Sequence, residues 1–201
     1  MRSIYDLKPK FQRLLRPIVA ALARTGVTAN QVTIVALLLS LAVGACIAAH
    51  PTERWPLFLL PPFLFVRMAL NAIDGMLARE YGMKSAVGAI LNELSDVLAD
   101  AGLYLPFGLV PGFSPTLIVS IVTLGVISEM TGVVGIQIGA SRRYDGPFGK
   151  SDRAFAFGLL GLLFGLGIPP GRWLSLVLYV MLVLSAATIW NRASKALQEK
   201  S

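Results

Sequence analysis

Two stretches of this chain decide its fold, and they read RMALNAIDGMLAR at residues 67–79 and GAILNELSDVLAD at residues 88–100. Both carry ionisable and amide side chains inside otherwise apolar segments. Asn71 and Asp74 lie three residues apart, and Asn92 and Asp96 lie four apart, so each pair shares one face of a helix. A short connection makes the two helices antiparallel neighbours. The spacing therefore predicts four oxygen-bearing side chains that converge between two helices.

The rest of the 201-residue chain predicts that these helices lie in a membrane. Apolar residues make up 55% of the chain and charged residues 14%, against about 25% charged residues in soluble domains. Mean hydropathy is +0.69. This composition argues against a soluble or disordered chain and predicts an all-α integral membrane protein. Four charge-free windows, together with Pro- and Gly-rich turns, indicate where the membrane segments lie. We predict six spans, at 32–49, 57–78, 88–110, 115–138, 154–169 and 173–190, and the second, third and fourth of them contain charged side chains.

The basic residues predict the orientation of these spans. Fifteen of the 18 Lys and Arg residues fall in segments on the side of the two termini, whereas Arg54 and Arg172 fall in loops on the other side. Basic loops stay in the cytoplasm, so we expect both termini on the cytoplasmic side of a bacterial inner membrane. The net charge of +7 then reflects topology and lipid contact, and we expect no nucleic-acid partner.

The first 27 residues are predicted to form a separate amphipathic segment, followed by a six-helix domain at 28–201. Apolar residues at helical spacing alternate there with basic ones, which is typical of a helix on the inner membrane surface. A plain basic anchor is the alternative. The apolar positions are Phe11, Leu14, Leu15, Ile18 and Leu22.

The four convergent side chains offer only oxygen ligands, which suit Mg²⁺ or Mn²⁺ better than zinc. Gly75 and Gly88 stand beside them, and a glycine lets a phosphate group approach the backbone. Helix packing is the alternative role of both glycines. Arg79 lies one turn beyond Asp74 and suits a phosphate contact, although it also fits an ordinary cytoplasmic charge.

The spacing Asp74-Gly75-x2-Ala78-Arg79-x8-Gly88-x3-Asn92-x3-Asp96 resembles the signature of the CDP-alcohol phosphatidyltransferase family, D-x2-D-G-x2-A-R-x8-G-x3-D-x3-D. The stretch TANQVT at 28–33 is similar to the T-P-N-x-x-T that opens the first span of this family. Asn71 and Asn92 stand where the signature has its first and third aspartates, and they suggest an atypical bacterial branch. The likeness covers essentially the whole chain.

The resemblance implies an enzyme of phospholipid biosynthesis that needs Mg²⁺ or Mn²⁺. Its donor would be a CDP-linked lipid, most often CDP-diacylglycerol, and an alcohol would attack the lipid-attached phosphate as CMP leaves. Asp96 would act as general base and Asp74 as the principal metal ligand. Asn71, Asn92 and Asp96 would complete the metal site, with Glu93 as a further ligand or, alternatively, a residue at the lipid edge or a dimer contact. The CDP-lipid would contact Asn30, Gly75, Ala78, Arg79 and Gly88.

The segment SRRYDGPFGKSDR at residues 141–153 precedes the fifth span. Its Gly149-Lys150 pair resembles the basic patch that family members use near the acceptor. Lys150 and Arg153 are three residues apart and, with Arg142, are predicted to bind a phosphorylated acceptor such as glycerol 3-phosphate or an inositol phosphate. Cytoplasmic positive charge alone is the alternative.

Arg67 and Asp100 lie outside the family signature. A bare arginine deep in a span needs a partner. Arg67 and Asp100 lie at similar distances from the centres of their two site pairs, so antiparallel helices bring them level. We therefore expect an Arg67–Asp100 ion pair, direct or bridged by water, with Glu129 as reserve partner. In the alternative, Arg67 binds a substrate phosphate.

Two other functions are consistent with this pattern. Because two signature aspartates are replaced, the chain could be a catalytically silent scaffold or lipid binder. Carboxylates inside spans also occur in cation transporters, but here they cluster at one membrane edge and only Glu129 lies deep in another span. The expected partners are CDP-diacylglycerol, an alcohol acceptor, membrane lipids and a second copy of the chain in a homodimer.

Overall fold

The computed structural model describes residues 7–200, and all regular structure within them is helical. The predicted all-α fold is therefore confirmed for these residues, while residues 1–6 of the predicted N-terminal segment lie outside them. The two 3-10 turns Leu105–Leu109 and Gly135–Ile138 extend the fourth and fifth helices. The helices are α1 Leu7–Arg24, α2 Ala29–Ala49, α3 Trp55–Glu80, α4 Ala86–Tyr104, α5 Pro115–Val134, α6 Lys150–Gly165 and α7 Arg172–Gln198.

Four of these helices are long and apolar enough to span a membrane: α2, α3, α5 with its 3-10 extension, and α7. Their mean hydropathies run from 1.6 to 2.6. The other two predicted spans are helical as well, but α4 carries three carboxylates and α6 has only 16 residues. The six-span arrangement and the cytoplasmic position of both termini therefore stay predictions.

Local hydrogen bonds at the first residues set where the site helices begin. The Thr28 hydroxyl accepts from the Gln31 backbone N–H, and the Gln31 side chain accepts from the Thr28 N–H. This reciprocal pair is a capping box, which satisfies two backbone donors at the start of α2. The Ser85 hydroxyl accepts from the Gly88 N–H at 2.9 Å and caps α4 in the same way.

The chain folds into two compact units, and α2, α3 and α4 each contribute to both. The first unit consists of the chain up to Ser40 together with Pro62–Ala99, and the second of Leu41–Pro61 together with Asp100–Ser201. The helix α1 belongs to the first unit. The predicted division after residue 27 stays a prediction.

An apolar core holds the first unit together. Leu15 and Val19 of α1 are buried against Ile73, Met76 and Leu77 of α3. The same helix leaves Leu14 72% exposed. The predicted apolar face of α1 is thus divided between a core contact and an exposed edge, which is what a helix lying against both protein and lipid requires.

Small residues and stacked aromatic rings both contribute to the packing of the second unit. Gly161 and Gly165 of α6 are four residues apart, and a Cβ atom at either one would lie 2.9 Å or less from backbone atoms of Leu57 or Phe58. Small residues at this spacing allow two helices to approach closely. Tyr104 and Phe157 stack with their ring centroids 4.2 Å apart, and α5 packs along α7.

A buried network of charges also connects the helices of the second unit. The Arg153 Nη2 atom lies 3.1 Å from an Asp100 carboxylate oxygen and 3.0 Å from a Glu129 carboxylate oxygen. Arg192 of α7 approaches Glu129 to 3.1 Å and donates to the backbone carbonyl of Ser128. Arg142 lies 3.6 Å from Glu129. Glu129 of α5 therefore connects three arginines that come from α6, α7 and the segment before α6.

Replacing Arg153 with alanine should strongly destabilise the protein. The change leaves the buried carboxylates of Asp100 and Glu129 without one of their cations, and breaking a buried pair costs about 3–5 kcal/mol. Thermal unfolding of the detergent-solubilised chain measures this loss. Arg172→Ala, at the exposed start of α7, is the control and should change the free energy of unfolding by less than ~1 kcal/mol. Equal melting of the two variants would contradict a supporting role for the buried network.

Candidate active site

A cavity of about 700 Å³ opens in the first unit, between the ends of α2, α3 and α4. Eight of the residues predicted for the metal and CDP-lipid sites line it, although they come from three helices. The lining also includes Thr33, the last residue of the stretch at 28–33 that resembles the family's opening motif, and Lys84 and Ser85, which were not predicted for the site. The eight predicted residues are Asn30, Asn71, Asp74, Gly75, Ala78, Arg79, Gly88 and Asn92.

Asp74 is the buried carboxylate of this cavity, with 6% of its surface exposed. Its Oδ2 atom accepts a hydrogen bond of 3.0 Å from the Thr33 hydroxyl of α2. Thr33 also donates toward the Ala29 carbonyl of its own helix at 3.1 Å, so the hydroxyl is anchored to α2. The contact fixes the rotamer of Asp74 at the cavity wall.

Asp96 contacts α3 through different partners. Its Oδ1 atom lies 3.5 Å from the Asn71 amide nitrogen and 3.9 Å from the Arg67 Nη2 atom. The same Nη2 atom donates to the Asp96 backbone carbonyl at 3.3 Å. Arg67 is 4% exposed. Asn71 and Arg67 thus both present nitrogen donors to the Asp96 residue.

Gly75 makes room for Arg79. A Cβ atom at position 75 would lie 3.1 Å from both terminal nitrogens of the Arg79 guanidinium. The guanidinium therefore folds back over the glycine one turn earlier and stays within the cavity. This geometry fits a cation that contacts phosphate oxygens.

Gly88 plays the same part for Asn30. A Cβ atom there would lie 2.7 Å from the Asn30 side-chain oxygen and 3.0 Å from the Ser85 hydroxyl. The first turn of α4 and the start of α2 can approach only because position 88 lacks a side chain. The two residues that the sequence places 58 positions apart thus meet at the cavity.

The residues predicted to bind the acceptor lie in the second unit. Arg153 is buried in the network with Asp100 and Glu129, and Arg142 lies beside Glu129 with its guanidinium carbon 4.1 Å from the centre of the Tyr144 ring. Lys150 begins α6. Arg67 and Asp100 belong to different units, so their predicted ion pair stays a prediction. Glu93, on α4, likewise stays a predicted ligand.

Ion pairs link the segment before α6, at residues 141–149, to the end of α7. Asp145 lies 2.8 Å from Lys195 and 2.8 Å from Arg143, which also lies 2.7 Å from Glu199. Hydrogen bonding to Lys195 and then to Arg143 holds the pKa of the Asp145 carboxyl below its usual value, although burial opposes this. Hydrogen bonds from Ser141 and Arg143 lower the pKa of Glu199. A lowered carboxyl pKa means that these contacts weaken only as the pH falls through the lowered value.

Sequence reasoning missed three further residues. It counted Arg192 only as a cytoplasmic charge, although this side chain is 2% exposed. Glu129 appeared only as a reserve partner, and the depth of this single carboxylate in an apolar span was the signal that it needed several cations. Lys84 falls in the part of the signature that specifies no residue, and it too was counted only as a cytoplasmic charge.

Comparisons with known proteins identify the family of this chain. The sequence profile of the CDP-alcohol phosphatidyltransferases matches residues 26–191. The chain is 43% identical over 198 residues to the inner membrane protein YnbA of Escherichia coli, covering 97% of this chain and 96% of that protein. It is 28% identical over 204 residues to the phosphatidylinositol phosphate synthase of Mycolicibacterium smegmatis, covering 96% and 88%.

The fold also resembles solved structures. The phosphatidylinositol phosphate synthase of Mycobacterium tuberculosis with CDP-DAG bound superposes with a TM-score of 0.78, at 20% identity, over 92% of this chain and 94% of that one. Its complex with manganese and citrate gives a TM-score of 0.76, at 20% identity, over 90% and 88%. The profile match covers most of this chain and includes the residues that line the cavity, and the chain belongs to the CDP-alcohol phosphatidyltransferase family.

Proposed function

We propose that this chain transfers a phosphatidyl group from CDP-diacylglycerol to the hydroxyl of an alcohol and releases CMP. The observation that carries the proposal is the cavity that Asp74 shares with Arg79, Gly88 and Asn30. The mycobacterial synthase with CDP-DAG bound, which has the same fold, supports the choice of donor.

The donor's charged portion suits the cavity. Arg79 and Lys84 are the two basic side chains of its lining, and both can contact phosphate oxygens. Asn30 presents an amide side chain that Gly88 allows to reach the same space. The cavity volume of about 700 Å³ falls within the range of about 300–1,000 Å³ common for ligand sites.

The donor atoms at the cavity fit a hard divalent cation. Asp74 supplies a carboxylate, Asn71 and Asn92 supply amides, and Thr33 lies beside them with a hydroxyl. Mg²⁺ and Mn²⁺ prefer oxygen ligands of this kind, so we assign the cation to these residues. Asp96 is assigned the role of general base instead, and Glu93 as a ligand stays a prediction. When bound, the cation would polarise the pyrophosphate and offset the charge on the departing CMP.

The protein's own residues handle the acceptor proton. The acceptor oxygen forms a bond to the lipid-attached phosphorus, and the bond from that phosphorus to the CMP oxygen breaks. The hydroxyl proton passes to the Asp96 carboxylate, which acts as general base. Asn71 and Arg67 hold this carboxylate in place through the contacts at 3.5 and 3.9 Å.

The acceptor is proposed to be a phosphorylated polyol, such as glycerol 3-phosphate or an inositol phosphate. Lys150 and Arg153 lie in the first turn of α6, Arg142 lies in the segment before it, and the three would attract its phosphate. Arg153 already contacts Asp100 and Glu129, so its charge is partly compensated. Replacing Arg153 would also break these buried contacts, so Lys150, the first residue of α6, is the residue chosen to test acceptor binding.

A catalytically silent lipid binder is the second candidate, because Asn71 and Asn92 provide no charge where the family signature has aspartates. CMP release from CDP-diacylglycerol decides between the two. The purified chain is tested with a series of divalent metals and with glycerol 3-phosphate, inositol 1-phosphate and unphosphorylated alcohols. Binding of CDP-diacylglycerol without CMP release under any of these conditions would favour the silent member.

Asp74→Asn and Asp96→Asn should each lower the rate of metal-dependent CMP release at least ~100-fold, the loss expected for a metal ligand or a general base. Both changes preserve side-chain size and remove one negative charge. Glu53→Gln, at an exposed position before α3, makes the same chemical change away from the cavity and should leave the rate unchanged. Near-normal turnover in either aspartate variant, with a normal unfolding profile, would contradict the site assignment.

Lys150→Ala should raise the KM for the phosphorylated acceptor about tenfold while changing the KM for CDP-diacylglycerol less than twofold, because it removes a cation that we assign to the acceptor's phosphate. Steady-state kinetics with each substrate varied in turn measure the difference. Lys200→Ala removes an exposed lysine beyond α7 and serves as the control. Equal effects on both KM values would instead indicate a general electrostatic role.

A further inference from the structure

We propose that the site binds one divalent cation, at Asp74, and that the Arg67 guanidinium supplies the second positive charge, beside Asp96. The inference rests on the proposed function, because it concerns the metal site of that reaction. The family signature has four aspartates where this chain has two aspartates and two asparagines. Arg67 lies outside the signature and one helical turn from the first of these asparagines.

The contacts of Asp96 are those that a carboxylate makes with a cation. Arg67 brings a full positive charge to 3.9 Å from Oδ1 and donates to the backbone carbonyl of the same residue. The Arg67 side chain is 5% exposed, so little solvent screens this attraction. The guanidinium thus fixes both the side chain and the backbone of Asp96.

Asn71 adds to the same arrangement. Its amide nitrogen faces the Asp96 carboxylate at 3.5 Å, and an amide next to a carboxylate must present its N–H groups. A cation that bridged positions 71 and 96 would require oxygen atoms from both residues. The observed pairing instead suits a site in which nitrogen donors compensate Asp96.

Asp74 is placed differently. It lines the cavity together with Asn71 and Asn92 and is held by the Thr33 hydroxyl, whereas Asp96 is not one of the lining residues. Within residues 7–200, no group of three or more acidic, histidine or cysteine side chains is close enough to hold a metal ion. Asp74 thus lines the cavity, whereas the Asp96 carboxylate contacts Arg67.

The charges lead to the same conclusion. Asp74, Asp96 and Arg67 together carry one net negative charge, which a single divalent cation already exceeds. At equal distance, two divalent cations repel about four times as strongly as two monovalent ions. Anionic ligands normally offset this repulsion, and here half of the signature carboxylates are amides.

Binding of Mn²⁺ alone to the purified, detergent-solubilised chain tests the inference without any measurement of activity. Electron paramagnetic resonance during a Mn²⁺ titration should show one bound ion per chain, without the coupling of a neighbouring Mn²⁺, and Asp74→Asn should abolish it. Two ions per chain, no bound ion, or one ion that survives Asp74→Asn would each overturn the inference.

A pair of variants tests the role of Arg67. In the Asn71→Asp background, Arg67→Met should tighten binding of a second Mn²⁺ at least ~10-fold, because it removes the competing positive charge. Arg67→Lys keeps that charge. In the same background it should leave the affinity for a second Mn²⁺ no higher than in the Asn71→Asp variant alone. Asn191→Asp adds the same carboxylate on α7 and is the matched control.

Unchanged affinity for the second ion after Arg67→Met would overturn the role of Arg67. If that variant does not fold, the ion count of the unaltered chain still decides the number of cations. The proposed function can fail separately. One Mn²⁺ at Asp74 without CMP release would contradict the proposed transfer and support the single-cation site. CMP release by a chain that binds two ions would support the transfer and contradict the single-cation site.

Discussion

Buried charge is the constraint on which both units of this structure depend. Asp74, Asp100 and Glu129 are carboxylates with less than a tenth of their surface exposed, and Arg67, Arg153 and Arg192 are arginines buried to the same degree. An ionised group removed from water loses several kcal/mol of solvation, which only partners of opposite charge or good hydrogen bonds offset. The positions of these partners determine which parts of each unit are structural and which can bind a ligand.

The two units meet this constraint in different ways. In the second unit, Arg153 and Arg192 contact Glu129 from α6 and α7, and Arg153 also contacts Asp100. Such a network is compensated within the protein and holds helices together. In the first unit, Asp74 accepts a hydrogen bond from a neutral hydroxyl and borders a cavity of about 700 Å³. A carboxylate at the wall of a cavity can contact a bound cation, and this is why we assign the metal to the first unit.

Much of the first unit could be predicted from the sequence, because its determinants are local. A charge-free window located α2, and the spacing of Asn71, Asp74, Gly88 and Asn92 placed these residues on faces that do meet at one cavity. Which apolar residues of α1 are buried, and the contact of Asp74 with Thr33, depend on packing between separate helices. The periodicity of the sequence does not encode that packing. The same holds for Arg192 and Glu129, which are 63 residues apart and belong to α7 and α5. No periodic pattern in the sequence indicates this pairing, so Arg192 was counted only as one of the cytoplasmic charges.

The charge balance of the cavity ties the donor to the number of cations. Asp74 contributes one negative charge to its lining, and Arg79 and Lys84 contribute two positive charges. A pyrophosphate brings about two negative charges, so the cavity with the donor bound carries about one net negative charge before any cation enters. One divalent ion brings this total to about one positive charge, and a second would bring it to about three, in a site where a low dielectric constant strengthens every repulsion. Arg79 and Lys84 therefore offset the negative charge of the phosphates, as Arg67 offsets the negative charge of Asp96. A site that binds one divalent cation needs fewer carboxylates, and the replacement of two aspartates by asparagine meets that need.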